Sequence, residues 1–100
     1  MSRAKLDPNP LGFNPIGSHS DGADISSAAT ITIPDFASKW MVQVLTQNAR
    51  FTLDGTVPEA AKGFQLKAGD PPVIVPVGDT TIIKVIQEAA TADLQYQFGE

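Results

Sequence analysis

From Ala28 to the end of the chain, apolar residues recur at alternate positions in short runs, and each run stops near glycine, proline or aspartate. That rhythm constrains the fold more than anything else here, because a period of two belongs to half-buried strands and cannot serve an amphipathic helix. In ATITI, residues 29–33, Ala29, Ile31 and Ile33 point one way while Thr30 and Thr32 point the other. KWMVQVLTQ (39–47), RFTL (50–53), GFQL (63–66), VIVPV (73–77), TTIIKVIQ (80–87) and ADLQYQF (92–98) follow. Seven short strands in about 70 residues predict an all-β fold, a small antiparallel β-sandwich of jelly-roll or immunoglobulin-like type. DFASKW and VIQEAATA are the two places where a single helical turn would interrupt it.

Residues 1–24 do not share the rhythm. MSRAKLDPNPLGFNPIGSHSDGAD sets Pro8, Pro10, Pro15, Gly12, Gly17 and Gly22 among isolated apolar residues. Proline fixes φ and pushes the preceding residue toward extended backbone, so the stretch reads as an extended N-terminal arm. The division is an arm over residues 1–24 and a sandwich over residues 25–100. Such an arm cannot bury a core of its own and needs a surface to order it, either its own domain or a neighbouring subunit. Leu6, Leu11, Phe13 and Ile16 are the expected anchors, with Pro8, Pro10 and Pro15 lowering the entropy lost on docking.

The strand faces bear on function. The last strand is clean, with Ala92, Leu94, Tyr96 and Phe98 opposite Asp93, Gln95 and Gln97. Two others are apolar on both sides. Met41 and Leu45 oppose Trp40, Val42 and Val44, while Ile83 and Val85 oppose Ile82 and Ile86. A two-layer sandwich buries one face per strand, so the second face calls for another cover. Met41, Leu45, Ile83 and Val85 are the expected subunit contacts, and each such side chain contributes roughly 1.5–3 kcal/mol when buried. The outward Gln43, Gln47, Gln87, Gln95 and Gln97 cost less to desolvate than charges would. One hundred residues, 42% of them hydrophobic, make one domain of narrow stability that association would widen.

Chemistry finds little purchase. The seven Lys and Arg are scattered and the net charge is −4, which argues against nucleic acid. No apolar run approaches the roughly 18 residues of a membrane span, and the basic start MSRAK precedes no signal-like core. Without cysteine there is no disulfide framework, thiolate nucleophile or sulfur ligand, as suits assembly in a reducing cell. The lone His19, with Asp21 and Asp24 in SHSDGAD, lacks the ligand spacing of a calcium loop or a zinc site. No GxSxG elbow, acid pair or phosphate loop is visible, so neither enzyme activity nor any cofactor is expected. Asp54-Gly55 with Pro58, and Gly69-Asp70, have a sufficient explanation as turns.

Two resemblances bear on function. RFTLDGTVP, residues 50–58, resembles a YTLDGSxP-type segment of immunoglobulin-like modules appended to glycosidases, which implies carbohydrate binding. The aromatics a sandwich could offer a sugar are Trp40, Tyr96 and Phe98, but they share faces with Val42, Val44 and Leu94 and read as core. A longer resemblance joins RFTLDGTVP, GFQLKAGDPP, a β-branched strand and the terminal LQYQFGE, across residues 48–100. In this respect the chain resembles small β-sandwich virion proteins of tailed bacteriophages. That implies a capsid decoration or cement protein bound to the major capsid protein or other virion subunits and forming a homo-oligomer. A head–tail junction, collar or tail accessory is the alternative. The location implied is the virion, assembled in the host cytoplasm, and arms that clasp neighbouring subunits are typical of such proteins.

Overall fold

The structure, a computed structural model, describes residues 12–100. Eight strands follow in order: β1 (Pro15–Asp21), β2 (Ala29–Ile31), β3 (Lys39–Leu45), β4 (Ala49–Thr52), β5 (Phe64–Leu66), β6 (Val73–Pro76), β7 (Ile83–Gln87) and β8 (Asp93–Gly99). Among the described residues there is no helix. In DFASKW the backbone is committed elsewhere: Ser38 donates to Gly99 O at 2.9 Å and accepts from Val77 N at 3.0 Å.

The strands form two four-stranded sheets, ordered β1-β8-β3-β6 and β2-β7-β4-β5. First pairs with last, second with seventh, third with sixth and fourth with fifth, all antiparallel. The chain is thus one long hairpin, folded about the β4–β5 connection and rolled until its two halves face each other. The pattern is the eight-stranded jelly roll, and it decides between the two sandwich types expected.

Alternation supplies the core. Trp40, Val42 and Val44 of β3 and Leu94 and Phe98 of β8 meet Ile31, Ala49, Phe51, Leu66, Ile83 and Val85 from the other sheet. Trp40 is fully buried and stands edge-on to Phe51 (5.6 Å, 77°) and to Tyr96 (6.1 Å, 62°). Among the described residues its indole Nε1 has no hydrogen-bond partner.

Residues 15–21, expected to belong to an extended arm outside the sandwich, instead form an edge strand of it. Pro15 pairs with Gly99 and Ile16 with Phe98, then the register slips at a bulge before Ser20 meets Tyr96. Gly17 absorbs the slip with φ +71°. An edge strand needs only one inward apolar residue, and Ile16, packed on the core, supplies it. Pro15 costs no ladder bond where no strand lies outside. The other edges are also blunted: β2 and β5 have three residues each, and prolines flank and end β6.

Candidate interaction surface

Of the expected arm anchors, Leu6, Pro8, Pro10 and Leu11 lie outside the described residues. Phe13, Pro15 and Ile16 lie along the chain's own sheet. Asn14 and Glu100 exchange two backbone hydrogen bonds, of 3.0 and 2.9 Å. The Phe13 ring covers Gly99, where an added Cβ would stand 2.7 Å from the ring. Gln97 Nε2 donates to the carbonyls of Ile16 (2.9 Å) and Gly17 (3.1 Å), and Lys39 Nζ donates to Gly12 O. The chain therefore enters the sandwich tied to the ends of β8 and β3.

On the outer face of the first sheet, Met41 and Leu45 stand half-buried, with Met41 level with Ile74 of β6 and Gln97 of β8. Gln43 and Gln95 pair across β3 and β8. The glutamines are already engaged within the chain. Gln43 donates to Asp70 O (3.0 Å), Gln95 donates to Asp93 Oδ1 (3.0 Å), and Gln87 Oε1 accepts from Ala92 N (3.1 Å). His19 Nε2 lies 2.7 Å from Gln95 Oε1.

Ile83 and Val85 require a correction. Both are wholly buried in the core, because β7 pairs with β4 so that Val85 lies level with Phe51. They cannot be subunit contacts. The outward residues of β7 are Lys84 and Ile86, and Ile86 lies level with Arg50. Arg50 Nε donates to Glu88 Oε2 at 2.6 Å and Gln65 Nε2 donates to the same oxygen at 2.8 Å. Those two contacts, Gln65 first, hold the Glu88 carboxyl below its ordinary pKa.

One surface was missed by sequence reasoning. The β2–β3, β4–β5 and β6–β7 connections share the end of the sandwich at which β1 begins and β8 finishes, as Lys39 pairing with both Gly99 and Pro76 requires. At this end Phe36 is 88% exposed and Ile82 47%, and Val57 and Phe64 are also exposed. Phe36 sits at φ +70°, a left-handed conformation unusual for a bulky residue. With Ile33, Ile82, Asp35 and Asp79 it lines an open cleft of about 470 Å³. A second cleft, of about 410 Å³ and lined by Leu53, Asp54, Gly63 and Phe64, adjoins it through the Asp54–Ile82 bridge. Phe36 falls inside a turn, between PD and AS, so no periodic run announced it.

The turn residues have local roles. Asp54 Oδ1 accepts from Thr56 N at 3.0 Å, which lowers its pKa, and Gly55 takes φ +86°. Pro58 is buried beneath the same connection. Gly69 takes φ +83° and donates to Val44 O, and Asp70 N closes on Lys67 O. Asp24 of SHSDGAD accepts from Ser26 N (3.0 Å) and Oγ (2.6 Å), again with a lowered pKa. Among the described residues no group of three or more His, Asp or Glu is gathered to hold a metal. No described helix is long and apolar enough to cross a membrane. Of the aromatics considered as sugar platforms, Trp40 and Phe98 are buried and Tyr96 packs between them.

No family model matches the chain, and no curated protein or solved structure matches it significantly.

Proposed function

We propose that the protein is a non-enzymatic structural subunit of a tailed-bacteriophage particle, a decoration or cement protein that binds the major capsid protein and neighbouring copies of itself. One observation carries this reading. The four most exposed of the large apolar side chains described (Phe36, Phe64, Val57 and Ile82) gather at the end of the sandwich where β1 begins. A surface of this kind suits protein contact better than solvent. Met41, Leu45 and Ile74 add a second, flatter apolar patch on the first sheet. Sites that are individually weak suffice on a symmetric shell, where repetition multiplies them through avidity.

The test is proteomic. Purified particles from cells that produce the chain should contain it at a stoichiometry fixed relative to the major capsid protein. Its absence from washed particles would overturn the proposal. A copy number matching a single ring would move the assignment to the head–tail junction or collar.

A further inference from the structure

The cleft beside Phe36 has two characters. Ile31, Ile33, Phe36 and Ile82 give it an apolar wall, and Asp35 and Asp79 give it negative charge. Among the described residues no basic side chain lines it, although Lys84 reaches its rim through Thr30 Oγ1 at 3.0 Å. The first eleven residues, MSRAKLDPNPL, are the complement: Arg3 and Lys5 against a single Asp7, beside Leu6 and Leu11. Opposite charges steer such an encounter, and the apolar pair supplies the buried contact.

Chain length and direction identify which molecule supplies the segment. Gly12 is held by Lys39 on the outer side of the first sheet, because Trp40 points inward and Lys39 therefore points out. The cleft opens at the other sheet, beside β2 and the β6–β7 connection. To fill its own cleft the segment would have to double back across the end of the sandwich. Pro8 and Pro10 oppose that reversal by biasing Asp7 and Asn9 toward extended backbone. Eleven extended residues reach about 36 Å, enough to cross to an adjacent molecule.

Resting on the virion-subunit reading and deepening it, we propose that residues 1–11 of one copy dock in the Phe36 cleft of a second copy, Leu6 on the apolar wall and Arg3 and Lys5 facing Asp35 and Asp79. The contact is head-to-tail, so it propagates around a ring or across a shell.

The chain has no cysteine, which makes disulfide trapping clean. Full-length chains carrying Leu6→Cys are mixed with chains carrying Thr32→Cys, an exposed residue lining the cleft. The control partner carries Ser27→Cys, exposed in the β1–β2 connection at the opposite end. The cleft pair should cross-link about ten-fold faster or more, as a raised effective concentration requires. Asp35→Lys with Asp79→Lys should remove that excess, and adding Arg3→Glu with Lys5→Glu should restore it. Equal rates for the two partners would overturn the proposal. So would a single chain carrying both Leu6→Cys and Thr32→Cys that closes on itself and stays monomeric. The assay uses purified protein without particles, so its failure leaves the virion reading to the particle measurement, and the reverse also holds.

Discussion

Ile82 and Ile83 are neighbours of identical chemistry placed on opposite sides of the fold, and truncating each to alanine gives opposite expectations. Ile83 has no exposed surface and is enclosed by both sheets, whereas Ile82 is 47% exposed and rests on Gly55. Ile83→Ala removes the transfer free energy of three carbons, about 0.8 kcal/mol each, and leaves a cavity, for a total of about 2–5 kcal/mol. Ile82→Ala forfeits only a partial burial, about 1 kcal/mol. A domain this small has roughly 5–15 kcal/mol to lose, so the Ile83 change should lower Tm by something like 10–30 °C and the Ile82 change by only a few degrees. Urea titration is the assay, read by the fluorescence of Trp40, the sole tryptophan and fully buried. The midpoint should shift with an unchanged m value. If Ile82→Ala costs as much as Ile83→Ala, β7 is displaced by one residue and the assigned faces are wrong. In the cross-linking assay the order reverses: Ile82→Ser should slow trapping, since Ile82 lines the cleft.

Trp40→Ala should cost about 3–5 kcal/mol, while Trp40→Phe should cost clearly less, because it keeps edge contacts with Phe51 and Tyr96 and removes an N–H that has no partner. Circular dichroism in urea distinguishes the two, and equal losses would mean that the indole N–H is satisfied. Gly99→Ala should loosen residues 12–14, since a Cβ there would meet the Phe13 ring at 2.7 Å and Asn14 O at 2.8 Å. Faster hydrogen exchange at Ile16, with the β3–β8 ladder unchanged, is the expected signature. Glu88 has a lowered carboxyl pKa, so its contribution is complete above the unfolded value of about 4.3 and fades as pH falls through the lower native value. Glu88→Gln should therefore destabilise at neutral pH and flatten the acid limb of the stability curve. A parallel acid limb would refute that linkage.

All seven strands expected from Ala28 onward are present, because each is a short run rich in apolar or β-branched residues bounded by its own turn residues. β1 escaped because its order comes from pairing with β8 and from Gln97, while PIGSHSD shows only one apolar inward residue. The faces of β3 were readable: Trp40, Val42 and Val44 are buried while Met41 and Leu45 are half-buried. Those of β7 were not. Ile82, Ile83, Val85 and Ile86 are apolar on both sides, and only the register against β4 decides which pair is core. The Phe36 cleft was illegible for a different reason. It is assembled from the end of β2 and two connections, β2–β3 and β6–β7, whose meeting depends on the rolled topology, and local periodicity carries no trace of it. The turn at Asp54-Gly55 needed only adjacent residues and was readable in full.

The presence of β1 also sharpens how the arm is tested, since deleting residues 1–24 would strip an edge strand from the first sheet. Deleting residues 2–11 alone spares every described strand. The decisive measurement is the occupancy of that shortened chain on purified particles, against the full chain at equal concentration. A folded domain by circular dichroism with occupancy reduced about ten-fold or more is expected when the repeated contact is lost. Full occupancy of the shortened chain would contradict the claim that the protein acts through its N-terminal segment.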